Sequence, residues 1–304
     1  MNAVPVLAAY TAAVGFAAPP LLLRAGWTHR APALAAAVWH ILLVSFSIGA
    51  ALTAYNLVMP AEHLEAGMVG LLHSCGLARG QGGPDSHAAD RLAAALPSAI
   101  GLALAAAFAF HVARARRARS RHRAAVDLVG RHSARLRATV LPYDTPAAYC
   151  LPGRRPRVVI SDAAVRELTA DQLGAVLEHE RGHIAGRHHL ALALTQSYRS
   201  VFRGLPLARH AREQTALLLE MAADDRALRR HSGEALATAM YEMAAARTPK
   251  DAFAAGGQTV LIRLRRVLGP RAAAHPVLRA SVAVLAAALP LLPLLIACPP
   301  PGLG

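Results

Sequence analysis

A pair of histidines four residues apart dominates the chemistry that this sequence could perform. His179 and His183 flank Glu180 in the segment EHERGH, which begins at Glu178. Residues four apart lie on one face of a helix, so both imidazoles could bind the same metal ion. Glu180 lies at the edge of that face, where its carboxylate could reach a metal-bound water. This HExxH arrangement predicts a zinc (Zn²⁺) site with two histidine ligands and Glu180 as the catalytic base.

A catalytic zinc site needs a third protein ligand, and the sequence offers two main alternatives. Glu220 lies in the apolar segment LLLEMAADD, one helical turn before Asp224, which would orient a ligand histidine. Alternatively, His189 completes the longer pattern HExxHxxGxxH after a turn at Gly186, the metzincin arrangement. Apolar periodicity that continues past Gly186 predicts an unbroken helix and therefore favours Glu220. Glu213 is a remote third candidate.

The elements around the histidine pair can also be predicted. Thr169 and Gln172 fit a capping box, so a helix should begin there and run through the histidines. Two short β-prone runs, 147–151 and 157–161, flank the turn-forming segment PGRRP. They predict a small hairpin or two edge strands, and the strand at 147–151 could align an extended substrate by β-augmentation.

The composition indicates a membrane protein. The chain has 304 residues, of which 55% are hydrophobic, too apolar for an ordinary soluble domain. Four stretches are long enough to cross a bilayer as helices. They are 4–23, 33–59, 92–112 and 277–297. Prolines 19, 20, 290 and 293 lie near the ends of their spans and should kink them.

The distribution of arginine predicts the orientation of these spans. The net charge is +15, and Lys250 is the only lysine. The loop after the first span is basic, the loop 60–91 has no excess of positive charge, and six arginines directly follow the third span. These six are at positions 114, 116, 117, 119, 121 and 123. The positive-inside rule then predicts a cytoplasmic first loop, a cytoplasmic domain and external termini. We interpret the arginine run as a signal at anionic lipid headgroups, not as a nucleic-acid site.

The three cysteines show no metal-binding spacing. In the predicted topology Cys75 and Cys298 both lie on the outer, oxidising side, whereas Cys150 lies alone in the cytoplasm. A disulfide can persist on the outer side, so we predict that Cys75 and Cys298 are bonded.

The order of these features resembles the BlaR/MecR-type membrane metallopeptidases and, more distantly, HtpX and the CAAX prenyl proteases. The resemblance rests on three N-terminal spans, EHERGH, the later EMAADD and a fourth span. It implies that His179, His183 and Glu220 bind zinc, that Glu180 is the base and that Asp224 supports the site. Only CPPPGLG follows the last span, so the resemblance does not extend to an extracellular penicillin-binding sensor.

The expected fold is mainly α, with four transmembrane helices and a cytoplasmic metallopeptidase domain that carries a small β element. The three parts are a transmembrane region (1–113), the peptidase domain (114–276) and the fourth span with its tail (277–304).

The expected partners are the lipid bilayer and a protein or peptide substrate, with a cytoplasmic transcriptional repressor as one substrate class and no direct contact with nucleic acid. Membrane-protein quality control like that of HtpX is an alternative function, and a non-catalytic scaffold is another. Arg263, His231 and Tyr241 are alternatives for a second oxyanion donor.

Overall fold

The computed structural model describes residues 3–58, 84–245, 257–270 and 274–297, and this part of the chain is mainly helical. The helices before the sheet are α1 (Val4–Ala12), α2 (Ala18–Arg24), α3 (Pro32–Val58) and α4 (Pro84–Val129). The helices after the sheet are α5 (Asp162–Glu167), α6 (Ala170–Ala185), α7 (His188–Val201), α8 (Pro206–Ala227), α9 (Gly233–Ala245), α10 (Gly257–Leu268), α11 (Pro276–Ala288) and α12 (Leu292–Ala297). The prediction of a mainly α chain is confirmed.

Four apolar helices in the described ranges are long enough to cross a membrane, as predicted. They are Val4–Arg24, Pro32–Leu57, Ala95–Val129 and Pro276–Ala297. Large apolar side chains on them face outward, for example Leu102 (71% exposed) and Leu285 (68% exposed), as expected for surfaces that contact lipid. Irregular turns lie at two of the predicted proline sites: a π-helical turn (Ala13–Ala17) precedes Pro19, and a 3-10 turn (Leu289–Leu291) contains Pro290.

The apolar helices and the helices of the predicted peptidase domain share one core. Trp39 and Leu43 of α3 are buried in the same cluster as Leu218 and Met221 of α8. Polar contacts also join α7 to the apolar helices, and two of them are between side chains. The Ser47 hydroxyl lies 2.7 Å from that of Tyr198, and His111 Nε2 lies 2.9 Å from Ser200 Oγ. The site helices therefore pack directly against helices of membrane-crossing length, and α4 continues without a break past residue 113.

The β element is a four-stranded sheet in the described part of the chain, with strand order β1-β2-β4-β3. Its strands are β1 (Arg131–Ser133), β2 (Ala138–Leu141), β3 (Ala148–Leu151) and β4 (Arg157–Ser161). The predicted hairpin is present, because β3 pairs with β4 in antiparallel register. The sequence analysis missed β1 and β2, and β4 is an inner strand because it also pairs in parallel with β2. Among the described residues β3 pairs only with β4, so it forms one edge of the sheet, and β1 forms the other.

The expected continuity of the helix past Gly186 is wrong. Helix α6 ends at Ala185, and Arg187 adopts a left-handed conformation (φ 48°) before α7 begins at His188. A single left-handed residue redirects the chain, so the apolar periodicity on both sides belongs to two helices. The predicted Cys75–Cys298 disulfide lies outside the described residues.

Candidate metal centre

Helix α6 presents His179 and His183 together. The predicted capping box begins this helix, since the Thr169 amide donates to Gln172 Oε1 (2.9 Å) and the Gln172 amide donates to Thr169 Oγ1 (3.4 Å). Four residues separate the histidines, and their Nε2 atoms converge to 3.1 Å. Two ring nitrogens at this distance point toward a common position.

Glu220 of α8 reaches the same position from the facing helix. Its Oε2 lies 3.5 Å from His179 Nε2, and its Oε1 lies 3.4 Å from His183 Nε2. Close approach of the two helices makes this contact geometrically feasible: a Cβ added to Gly182 would lie only 3.1 Å from Ala223 Cα. Glycine at position 182 therefore lets α8 bring its carboxylate to the histidine pair.

The spacing of these three side chains fits zinc. One nitrogen or oxygen atom from each lies within 4.8 Å of the others. Two ligand atoms about 2.0–2.1 Å from one tetrahedral ion are about 3.3 Å apart, close to the distances of 3.1, 3.4 and 3.5 Å found here. Two imidazoles and a carboxylate form one of the ligand sets of catalytic zinc, which keeps a fourth position open. Residues His179, His183 and Glu220 can therefore hold the ion.

Asp224 lies behind His179 and is fully buried. Its Oδ1 is 2.9 Å from His179 Nδ1, and Arg263 of α10 donates to both of its oxygens at 2.8 and 2.7 Å. Burial opposes charge on Asp224, but Arg263 and His179 outweigh it and lower the pKa of this carboxyl to about 2. An ionised Asp224 favours a proton on His179 Nδ1, so Nε2, which faces Glu220, is the nitrogen that would give up its proton to a metal.

Arg263 also contacts Glu220, with Nη1 2.9 Å from Oε2. Burial opposes ionisation of Glu220, but the contact with His179 and the charge of Arg263 outweigh it and lower the pKa to about 2. For His179, burial lowers the pKa, but the carboxylates of Asp224 and Glu220 outweigh it and raise it to about 9. With a pKa of about 2, the Glu220 carboxylate is ionised at neutral pH.

His188 supports the second ligand histidine, a contact that the sequence analysis did not identify. It is buried, and its Nδ1 lies 2.8 Å from His183 Nδ1. Burial and the neighbouring His183 lower the pKa of His188 to about 4. A neutral His188 can accept the Nδ1 proton of His183, and His183 Nε2 then remains unprotonated.

Glu180 lies beside the ligands and against strand β3. Burial raises the pKa of Glu180, and the charge of Glu220 raises it further. The Cys150 thiol of β3 lies near the Glu180 carboxylate, and burial together with the charge of Glu180 raises the pKa of Cys150 to about 12. Cys150 is a free thiol. Its raised pKa keeps it protonated beside the predicted base.

The other residues singled out from the sequence lie away from the three ligands. His189 lines a cavity among arginines, Glu213 contacts His210 on the same helix, and His231 contacts Asp171 at the start of α6. Tyr241 is 64% exposed. Of the three oxyanion alternatives, Arg263 contacts the ligand cluster.

Residues 112–225 match the model of Peptidase family M48. The matched segment contains both histidines, Glu180, Glu220 and Asp224, and members of this family are zinc metallopeptidases. The match supports a metallopeptidase. Comparisons with curated proteins and with solved structures gave no match.

Proposed function

We propose that this chain is a membrane-embedded zinc metalloendopeptidase that cleaves a cytoplasmic or membrane-associated protein. One observation carries the proposal: His179, His183 and Glu220, all within the segment that matches the M48 model, converge at the spacing of a zinc site. Zinc, when bound, supplies Lewis acidity, which activates a water and polarises the scissile carbonyl. The narrower resemblance to BlaR/MecR-type enzymes stays a prediction.

Glu180 acts as the general base and then as the general acid. It is close enough to the ligand cluster that the charge of Glu220 raises its pKa. A raised pKa suits both roles, since the carboxylate must take a proton from the attacking water and return it to the leaving amine. We assign the Cys150 thiol, which lies near this carboxylate, the role of orienting it.

Asp224, His188 and Arg263 position the ligands. Asp224 and His188 each engage the Nδ1 atom of one ligand histidine, which fixes the ring and the tautomer. Arg263 joins Asp224 to Glu220 and keeps both carboxylates ionised. Of the three candidates for a second oxyanion donor, Arg263 is the one that contacts a ligand carboxylate, so we assign it that role.

Strand β3 binds the substrate in extended form. It is one of the two edge strands of the sheet, and its Cys150 lies near the proposed base Glu180. An extended peptide that pairs with the free edge would gain backbone hydrogen bonds and lie along the site.

The proposed orientation places the site on the cytoplasmic side, with both termini external. The arginine run after the third span supports it. So does the contact between the first loop and α10, in which Arg266 Nε donates to the His29 carbonyl at 2.7 Å. This contact requires the first loop and the peptidase helices to lie on the same side of the bilayer.

A transcriptional repressor remains one proposed substrate class. Quality control of membrane proteins is a second candidate, and the shared core of α3 and α8 favours it, because a site packed against membrane helices is close to membrane-embedded substrates. Comparing the rates at which one preparation cleaves a soluble repressor and a membrane-anchored peptide would distinguish the two classes.

The proposal is tested with the purified full chain in detergent and an unfolded protein such as casein as substrate. Cleavage should stop when a chelator removes the metal and return when one equivalent of zinc is restored. Glu213→Gln is the matched control, since Glu213 lies on the same helix as Glu220 but contacts His210, and it should keep both zinc and cleavage. Cleavage that persists without metal would contradict the proposal.

A further inference from the structure

A cavity of about 620 Å³ has a lining that includes none of His179, His183 and Glu220. Its walls are α4 beyond residue 112, the turn between β3 and β4, and the start of α7. Its volume lies in the range of small-molecule sites, about 300–1,000 Å³.

The cavity is strongly basic. Arg116, Arg119 and Arg123 of α4 line it, and Arg154 from the turn completes the opposite wall. Their spacing of three and four residues puts the three α4 arginines on one face of the helix. Asp127 is the one carboxylate among the lining residues, and its ion pair is with Arg157, which does not line the cavity. Four guanidinium groups therefore line the cavity, and none of them is paired with Asp127.

None of these four arginines forms an ion pair with a carboxylate in the described part of the chain. Arg116, Arg119 and Arg154 form no ion pair there, and Arg123 donates only to the backbone carbonyls of Leu151 and Arg155. His189 also lines the cavity, and its Nδ1 is buried without a hydrogen-bond partner among the described residues. Unpaired cations and an unpaired ring nitrogen around one space are the donor set of an anion site.

The position of the cavity indicates which anion. Its wall begins at Val112, where the third predicted span ends. Helical rise puts Arg116 about 6 Å and Arg123 about 16 Å beyond that point. The headgroup layer of one leaflet is about 5–8 Å thick, so a span that ends at Val112 would put Arg116 at headgroup depth and Arg123 on the aqueous side of it.

We propose that this cavity is a phosphate-binding site that takes the headgroup of an anionic phospholipid. Arginine suits this ligand because its planar fork donates two hydrogen bonds to one phosphate group. The six-arginine run then has two functions, as a topology signal at the headgroups and as part of the phosphate site. Arg116, Arg119 and Arg123 face the site, whereas Arg114, Arg117 and Arg121 do not line it.

The test measures binding by the full chain in neutral detergent, at about 0.15 M salt to limit diffuse attraction. The probes are a short-chain phosphatidylglycerol and inorganic phosphate, and native mass spectrometry counts the bound molecules. Arg116→Gln/Arg119→Gln should weaken phosphatidylglycerol binding about 30-fold, from about fivefold for each charge removed. Arg114→Gln/Arg117→Gln removes the same charge from the same helix outside the cavity and should change binding less than about twofold.

A further variant guards against misfolding. Arg154→Gln lies on an exposed turn of the opposite wall and should weaken binding about fivefold. Binding of inorganic phosphate alone, with the same order of variants, would support the site with phosphate from solution as its ligand. Equal losses in the two double variants, no loss in any variant, or no binding of either probe to the wild-type chain would each overturn the proposal. The readout is binding, so peptidase activity does not affect it.

Discussion

Asp224→Asn should lower both the stability of the metal-free protein and its affinity for zinc. Asp224 uses both carboxylate oxygens: Oδ1 contacts His179 and Arg263, and Oδ2 accepts from Arg263. Asparagine keeps the size but replaces one acceptor with an NH₂ donor, so at least one contact to a cationic or ring N–H group is lost. Removing one partner of a buried ion pair costs about 3–5 kcal/mol. We expect about 3 kcal/mol, because Glu220 still contacts Arg263 at 2.9 Å.

Asp224→Asn should lower zinc affinity more than Asp225→Asn does. Loss of a group that orients a ligand histidine lowers metal affinity about 10–100-fold. Asp225→Asn is the matched control, because Asp225 contacts Arg266 of the same helix α10 at 2.5 Å and its side chain is 42% exposed. An exposed pair contributes up to about 1 kcal/mol, and Asp225 has no contact with a ligand. Its zinc affinity should stay within about twofold of the wild type.

Two measurements on the full chain in detergent decide this prediction. Competition with a chelator of known affinity gives zinc binding, and thermal unfolding of the metal-free protein gives stability. If Asp224→Asn binds zinc as tightly as the wild type, or if both variants lose affinity equally, the assignment of Asp224 as the residue that orients His179 is refuted.

Three further predictions concern the histidine cluster, the topology and the cysteines. His188→Ala should weaken zinc binding about tenfold or more, because it removes the partner of a ligand Nδ1, whereas His189→Ala should leave zinc unchanged; the reverse result in a chelator titration would favour the metzincin ligand set. Cysteines introduced singly within 120–135 should resist an impermeant thiol reagent applied to intact cells, and their labelling from outside would contradict the cytoplasmic domain. Thiol titration of the unreduced, denatured chain should find one thiol if Cys75 and Cys298 are bonded, and three thiols would exclude the bond.

Much of the candidate metal site could be predicted because its sequence signals are local. Two histidines at positions 179 and 183 share a helix face in any α-helix, and the capping box at Thr169 marks the start of that helix. Glu220 required one more inference, namely that a second apolar helix packs on the first. The helices do pack in this way, with Gly182 against Ala223, and the structure brings the three side chains together.

The residues that were missed depend on contacts between distant segments. Cys150 reaches Glu180 only because β3 packs beside α6, and the sequence does not specify that pairing. His188 supports His183 because the chain turns at Arg187 in a left-handed conformation, although Gly186 was the visible signal for a break. The shared core of α3 and α8 was not predicted either, since apolar periodicity shows that a face is buried but not against which helix.

The central claim is tested most directly by Glu180→Gln in the purified full chain. This variant removes the base but none of the three ligand side chains, so the account predicts one bound zinc per chain and no cleavage of a peptide substrate. The measurement compares zinc content and the rate of cleavage with those of the wild type in the same detergent. Cleavage at the wild-type rate by Glu180→Gln would contradict the account.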